Sequence, residues 1–106
     1  MITWSLIDRK DLGQLKIAID WENDRKIYID LLDIVFMSQI LSEDLMEECV
    51  TKLINPETND IYLDINEVVN SFRKHDSIKA QQIIQWLETD ILPSVKVMPK
   101  YTPLKL

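Results

Sequence analysis

Apolar and polar residues alternate with a period of two at the start of the chain. Thr3-Trp4-Ser5-Leu6-Ile7 reads as a first strand, with Ile2, Trp4 and Leu6 on one side. Asp8 to Gly13 is polar and ends in the chain's only glycine, which predicts a turn. Leu15, Ile17 and Ile19 then alternate with Lys16, Ala18 and Asp20, so residues 3–20 are expected to form a hairpin. Glu22-Asn23-Asp24 predicts a second turn, and Lys26-Ile27-Tyr28-Ile29 a short third strand.

From Asp30 the pattern becomes helical. The Asp30 carboxylate can accept a free amide hydrogen of a first turn, and Asp33 adds negative charge where the helix dipole favours it. Leu31, Ile34, Val35, Phe36 and Met37 make this helix very apolar. Ser42 starts a second helix, with Glu43 and Asp44 in its first turn. Its stripe is expected to run through Leu45, Met46, Cys49, Val50, Leu53 and Ile54. Asn55-Pro56-Glu57-Thr58-Asn59-Asp60 then ends it, because proline cannot continue a helix. Ile61-Tyr62-Leu63 predicts a short strand. Asp64 and Glu67 have the spacing of a capping box, and Ile65, Val68, Val69 and Phe72 the spacing of a buried face. Arg73-Lys74-His75 closes that third helix. Asp76 or Ser77 caps a fourth, whose stripe is Ala80, Ile83, Ile84, Leu87 and Ile91, with Trp86 at one edge and a stop at Pro93. Pro99 and Pro103 mark an irregular tail. The expected fold class is α+β: a small antiparallel sheet, the N-terminal hairpin plus short strands, packed on one side against about four helices. Residues 1–97 would form the domain and 98–106 the tail.

With 106 residues, 46% of them hydrophobic, the chain is long enough for one cored domain without staples. Cys49 is the sole cysteine, which excludes an intrachain disulfide and fits a reducing cytoplasm; on its stripe it reads as a small core residue. The longest apolar runs, such as Ile34-Val35-Phe36-Met37, fall far short of a membrane span. The first residues lack the basic-then-apolar pattern of a signal peptide. The net charge of -6 argues against non-specific binding to nucleic acid or anionic membrane. The charge is uneven. Residues 1–70 hold six Lys/Arg against fifteen Asp/Glu, a balance of -9, and residues 71–106 hold six against three, a balance of +3.

The residues that carry chemistry are few. His75, between Lys74 and Asp76, reads as a helix-end histidine rather than a general base. One His and one Cys are too few ligands for a soft metal. A single glycine excludes glycine-rich phosphate loops. Glu43, Asp44, Glu47 and Glu48 form a carboxylate cluster, with Glu43 and Glu47 four apart on one face, but there is no calcium-loop pattern around them. The cluster reads as a solvated face, one that repels nucleic acid or attracts a basic partner. No metal, no cofactor and no enzymatic activity are expected. Arg73, Lys74, His75 and Lys79 gather at one interhelical junction, and Lys96, Lys100 and Lys105 punctuate the tail around Tyr101. Cations that reach a nucleic-acid backbone add about -0.9 each to the salt slope of duplex binding, so three to five would make a modest binder. Trp86, Trp4 and Trp21 read as structural.

One stretch is more specific. Trp86, Asp90, Ile91, Leu92, Pro93, Val95 and Lys96 match the end of the N-terminal domain of the BRO family, also found in phage antirepressors. That domain closes with a helix bearing an aromatic pair. Trp, an acidic residue, a branched aliphatic residue, Leu and Pro then precede a basic residue. Residues from about 14 to 97 resemble it. Ile83 stands where the family usually has Phe. Ile27 to Ile34 resembles the family's strand-to-helix transition. Ile61 to Phe72 resembles its next strand and helix, without the usual Gly-Leu-Tyr-like segment. The resemblance implies an α+β viral or prophage module linked to DNA binding and gene regulation. Two functional expectations follow. One is a non-enzymatic phage-type regulatory module contacting DNA backbone through Arg73, Lys74, Lys79, Lys96 and Lys100. The other is an acidic interaction module whose Glu43, Asp44, Glu47 and Glu48 engage a basic host protein, with DNA mimicry as one form of it. A homodimer formed across a sheet edge is compatible with either.

Overall fold

Strand β1 (Ile2–Arg9) and strand β2 (Gly13–Asp20) form the expected hairpin in the computed structural model, which describes residues 1–104. Gly13 sits at φ 120°, a backbone conformation that side-chain-bearing residues rarely adopt, so the one glycine falls where the turn needs it. β3 (Lys26–Asp30) pairs with β2, β5 (Ile61–Asp64) with β3, and β4 (Lys52–Ile54) with β5. All four pairings are antiparallel, and the strand order is β1-β2-β3-β5-β4. Helices α1 (Leu31–Ser38), α2 (Ser42–Glu48), α3 (Ile65–Phe72), α4 (Ile78–Trp86) and α5 (Leu92–Val97) complete the α+β fold.

Local chemistry explains the helix starts. Asp30 accepts the Asp33 N–H at 2.9 Å, and Ser77 accepts the Ala80 N–H at 3.3 Å. Asp64 accepts the N–H groups of Asn66 and Glu67 at 2.8 and 3.3 Å. The capping box expected there is only half made. The Glu67 carboxylate turns away and accepts the Thr51 N–H at 2.9 Å and hydroxyl at 3.2 Å, while the Asp64 N–H goes to the Thr51 carbonyl. Glu67 thus ties α3 to the start of β4.

The sheet has one greasy side and one mixed side. Ile7, Leu15, Ile17, Ile19, Ile27, Ile29 and Leu63 face the helices and bury against Phe72, Ile83, Leu87 and Ile91. The pairing register places Ile2, Trp4 and Leu6 on the other side, away from the helices. There Trp4 sets its ring edge-on to Tyr62 at 5.2 Å, and Ala18, Tyr28, Tyr62 and Leu53 form a second small cluster. Trp21 and Trp86 are buried, and Trp4 is 38% exposed. The Trp21 ring N–H donates to the Thr3 hydroxyl at 2.9 Å.

Two helical boundaries differ from the sequence expectation. The second helix ends at Glu48 instead of running to Ile54. Cys49 adopts an extended backbone, and residues 52–54 pair with β5 as the outer strand of a β4–β5 hairpin closed by the Asn55–Asp60 turn. Leu45 and Cys49 are buried, whereas Val50 and Ile54 are exposed, so the stripe was helical for only its first half. The β-branched Val50 and Thr51 before Lys52-Leu53-Ile54 favour extension once a partner strand is available.

Pro93, expected to stop the fourth helix, lies inside it. A five-residue π-helical turn, Leu87–Ile91, joins α4 to α5, so residues 78–97 run on as one rod. The wider turn absorbs the missing proline N–H at the second position of α5. The hydroxyls of Thr89 and Ser94 donate to the carbonyls of Gln85 and Asp90 at 2.6 and 2.5 Å, which answers two acceptors next to the irregularity. After α5, residues 98–104 carry neither helix nor strand. The buried Leu104 donates its N–H to the Ser5 hydroxyl. No helix among the described residues is long and apolar enough to cross a membrane.

Candidate functional site

α2 carries four carboxylates and no basic residue. Leu45 anchors it in the core and Met46 is half-buried, which turns Glu43, Asp44 and Glu47 outward. These three carboxylates are exposed and make no ion pair among the described residues. Glu43 and Glu47 are four apart on one helical face, a like-charge pair that costs an isolated helix about 0.2–0.5 kcal/mol. Exposed apolar residues stand on either side in sequence: Phe36 at 86% exposure and Leu41 before α2, Val50 after it.

Glu48, the fourth member of the predicted acidic cluster, is engaged elsewhere. Its carboxylate lies 3.3 Å from Lys74 Nζ and 3.9 Å from His75 Nε2, and it clamps α2 to the end of α3. Burial alone would raise its pKa. Lys74 and Ser71 as hydrogen-bonding neighbours, with the charges of Lys74 and His75, outweigh that and hold it below the usual carboxylate value. The same junction contains buried polar atoms with no well-aligned hydrogen bond: Glu48 Oε2, Ser71 Oγ and His75 Nε2. His75 therefore sits as a helix-end residue facing a carboxylate. Cys49, beside this junction, is fully buried. Burial first, then the negative charges of Glu67 and Glu48, push its thiol up to about 11.

The five cations expected to contact DNA do not converge into one patch. Arg73 pairs with Glu88 at 2.6 Å and Lys74 with Glu48. Lys79, in the first turn of α4, is exposed and unpaired among the described residues. Lys96 occupies the last turn of α5, and Lys100 follows in the irregular segment; both are exposed. Seventeen residues of helical rod separate Lys79 from Lys96, about 25 Å at the usual helical rise. The longest extent of the molecule is 36 Å, so Lys79 and Lys96 stand far apart, with Arg73 reaching Glu88 between them. Lys105 lies outside the described residues.

Lys96 borders an open cleft of about 940 Å³ between the β2–β3 turn, the start of α3 and α5. The basic groups there are largely committed. Arg25 donates to the carbonyls of Val95 and Lys96, at 2.8 and 3.3 Å, and of Met98, and its guanidinium lies 5.2 Å from the Trp21 ring centre. Lys26 pairs with Asp64 at 3.2 Å. Among the described residues no cluster of three or more His, Cys, Asp or Glu is arranged to hold a metal ion.

Two residues matter more than their sequence positions suggest. Phe36 lies in an apolar helix, yet Leu32 and Phe36, four apart, point opposite to the buried Ile34, and their spacing relative to Ile34 is the available signal. Arg25 gave no signal, because its partners lie about seventy residues away in sequence. Comparison with protein-family models, curated proteins and solved structures found no match to this chain.

Proposed function

We propose that the chain is a non-enzymatic interaction module that presents the acidic face of α2 to a basic surface on another protein. One observation carries the reading: Glu43, Asp44 and Glu47 project together from a short helix with no ion-pair partner among the described residues, and the helix dipole rewards only the first two, in its first turn. Phe36, Leu41 and Val50 supply exposed apolar surface on the segments flanking that helix, the kind of contact that turns electrostatic attraction into a specific interface. The acid-rich first 70 residues would steer such a partner from a distance, with an on-rate that falls as salt rises.

The regulatory DNA-binding reading implied by the BRO resemblance has weaker support. Two of its five cations are neutralised by Glu48 and Glu88, and the remainder are divided between the two ends of the rod. A phage-type regulator that acts on a basic protein instead of on DNA would keep the resemblance while changing the ligand.

The test compares the wild-type chain with the double reversal Glu43→Lys, Glu47→Lys, and with Glu57→Lys on the β4–β5 turn as a charge control. Immobilised wild-type chain should retain a basic protein from host extract and release it as salt rises. The double reversal should lose it and the turn variant should keep it. Equal retention by all three removes the α2 face from function. A duplex-DNA gel shift at low salt by the folded wild type would restore the DNA reading.

A further inference from the structure

β1 is an edge strand of eight residues, and none of the usual guards against strand pairing lies between Ile2 and Ile7: no charge, no proline and no bulge. The other edge, β4, has only three residues and carries Lys52. The pairing register shows what β1 has left over. The Trp21 N–H donates to the Met1 carbonyl across the hairpin. In an antiparallel ladder that assigns alternate residues Met1, Thr3, Ser5 and Ile7 to bonding with β2. Ile2, Trp4 and Leu6 therefore direct their own amide and carbonyl groups away from the sheet. The same three residues carry apolar side chains on the outer face, with Trp4 and Leu6 exposed, Leu6 at 57%, and Ile2 half-buried. Unused backbone donors and uncovered apolar surface thus belong to one row of residues. Up to Leu104 the tail stays off that row, because Leu104 reaches Ser5, whose side chain lies on the helix side of the strand.

We infer that β1 pairs with β1 of a second copy of this chain, antiparallel about a two-fold axis, to make one continuous ten-stranded sheet. With Trp4 on the axis, Ile2 of each copy lies opposite Leu6 of the other, and all three positions exchange backbone hydrogen bonds. Apolar then meets apolar on the outer face, and the Tyr28–Tyr62–Leu53 cluster extends on both sides of the join. Charge selects this occupant over a basic peptide. Residues 2–7 hold no carboxylate to attract one, and two copies with a net charge of -6 each can approach only along a neutral seam such as this. The contact is independent of the acidic face on α2, so either inference can fail without the other.

Sedimentation equilibrium from low micromolar to near-millimolar concentration should show the wild type passing from monomer to dimer. Leu6→Lys should remain monomeric at every concentration, because it buries an ammonium at the seam while changing a side chain already in water. Ile54→Lys on the opposite edge should dimerise as the wild type does. A second readout needs no variant: in the dimer the amide hydrogens of Trp4 and Leu6 should exchange roughly tenfold more slowly than in dilute monomer, while those of Thr3 and Ile7 change little. A wild type that stays monomeric throughout, a Leu6→Lys protein that still dimerises, or exchange at Trp4 and Leu6 that ignores concentration would each overturn the inference.

Discussion

Asp30 joins two demands that pull against each other, and substitution can separate them. It caps α1 by accepting the Asp33 N–H, yet it is 1% exposed at the junction of β3 and α1. Burial is the largest influence on its carboxyl and raises the pKa above the usual aspartate value. The Asp33 hydrogen bond opposes this, and the Asp33 charge adds to it. The sign follows from linkage. An acid whose folded pKa exceeds its unfolded pKa binds its proton more tightly when folded, so its cost to stability is absent at low pH. The cost grows as pH rises from the unfolded value through the folded one and is full above that. Asp30→Asn keeps an acceptor oxygen for the cap and cannot ionise. It should match or exceed wild-type stability at neutral pH and lose that advantage below the unfolded aspartate pKa. Asp30→Ala removes the cap, which costs about 1 kcal/mol. For a domain of this size that corresponds to a fall in Tm of roughly 4–8 °C relative to Asp30→Asn. Thermal unfolding followed by circular dichroism at several pH values measures both effects. If Asp30→Asn fell as far as Asp30→Ala at neutral pH, buried charge would not be a burden at this position and the reasoning would be wrong.

Two further outcomes test other parts of the scaffold. Arg25→Ala should lower stability by about 1.5–3 kcal/mol, because it frees buried and half-buried carbonyls at the end of α5 and removes a guanidinium from the Trp21 face. Arg25→Lys should recover little of this, since an ammonium lacks the forked donors, and denaturant midpoints for the three proteins decide it. The Cys49 thiol should resist a thiol reagent at neutral pH and react promptly once denaturant unfolds the chain, because its pKa is pushed up to about 11 in a buried site. Prompt labelling of the folded protein would show that the α2–α3 junction opens readily.

Local patterns exposed most of the fold to reading. The hairpin, β3 and β5 follow from alternation and turn residues, and Asp30, Asp64 and Ser77 stand where side-chain capping requires them. What escaped was non-local. The stripe from Leu45 to Ile54 satisfies helical spacing throughout, and only a partner strand on β5 decides that its second half is extended. Pro93 reads as a stop because one proline in an α-helix is costly, yet a π-helical turn before it removes the conflict. For the candidate surfaces, the acidic cluster was legible as a helical face. The commitment of Glu48 to Lys74 was not, because it depends on how α2 meets α3.

That commitment also bears on how the surface would work. Glu48 and Lys74 use one carboxylate of α2 as a structural tether and leave Glu43, Asp44 and Glu47 as the displayed set. A helix of seven residues is too short to be stable alone, so its presentation rests on Leu45 in the core and on that tether. Reversing Glu43 and Glu47 changes the displayed charge without touching either anchor, which makes that variant a test of recognition. Replacing Glu48 would loosen the helix itself and confuse folding with binding. The same separation bears on the basic residues near Lys74. Arg73 and Lys74 serve the packing of α3 against its neighbours, and their charge is answered within the fold before a ligand arrives.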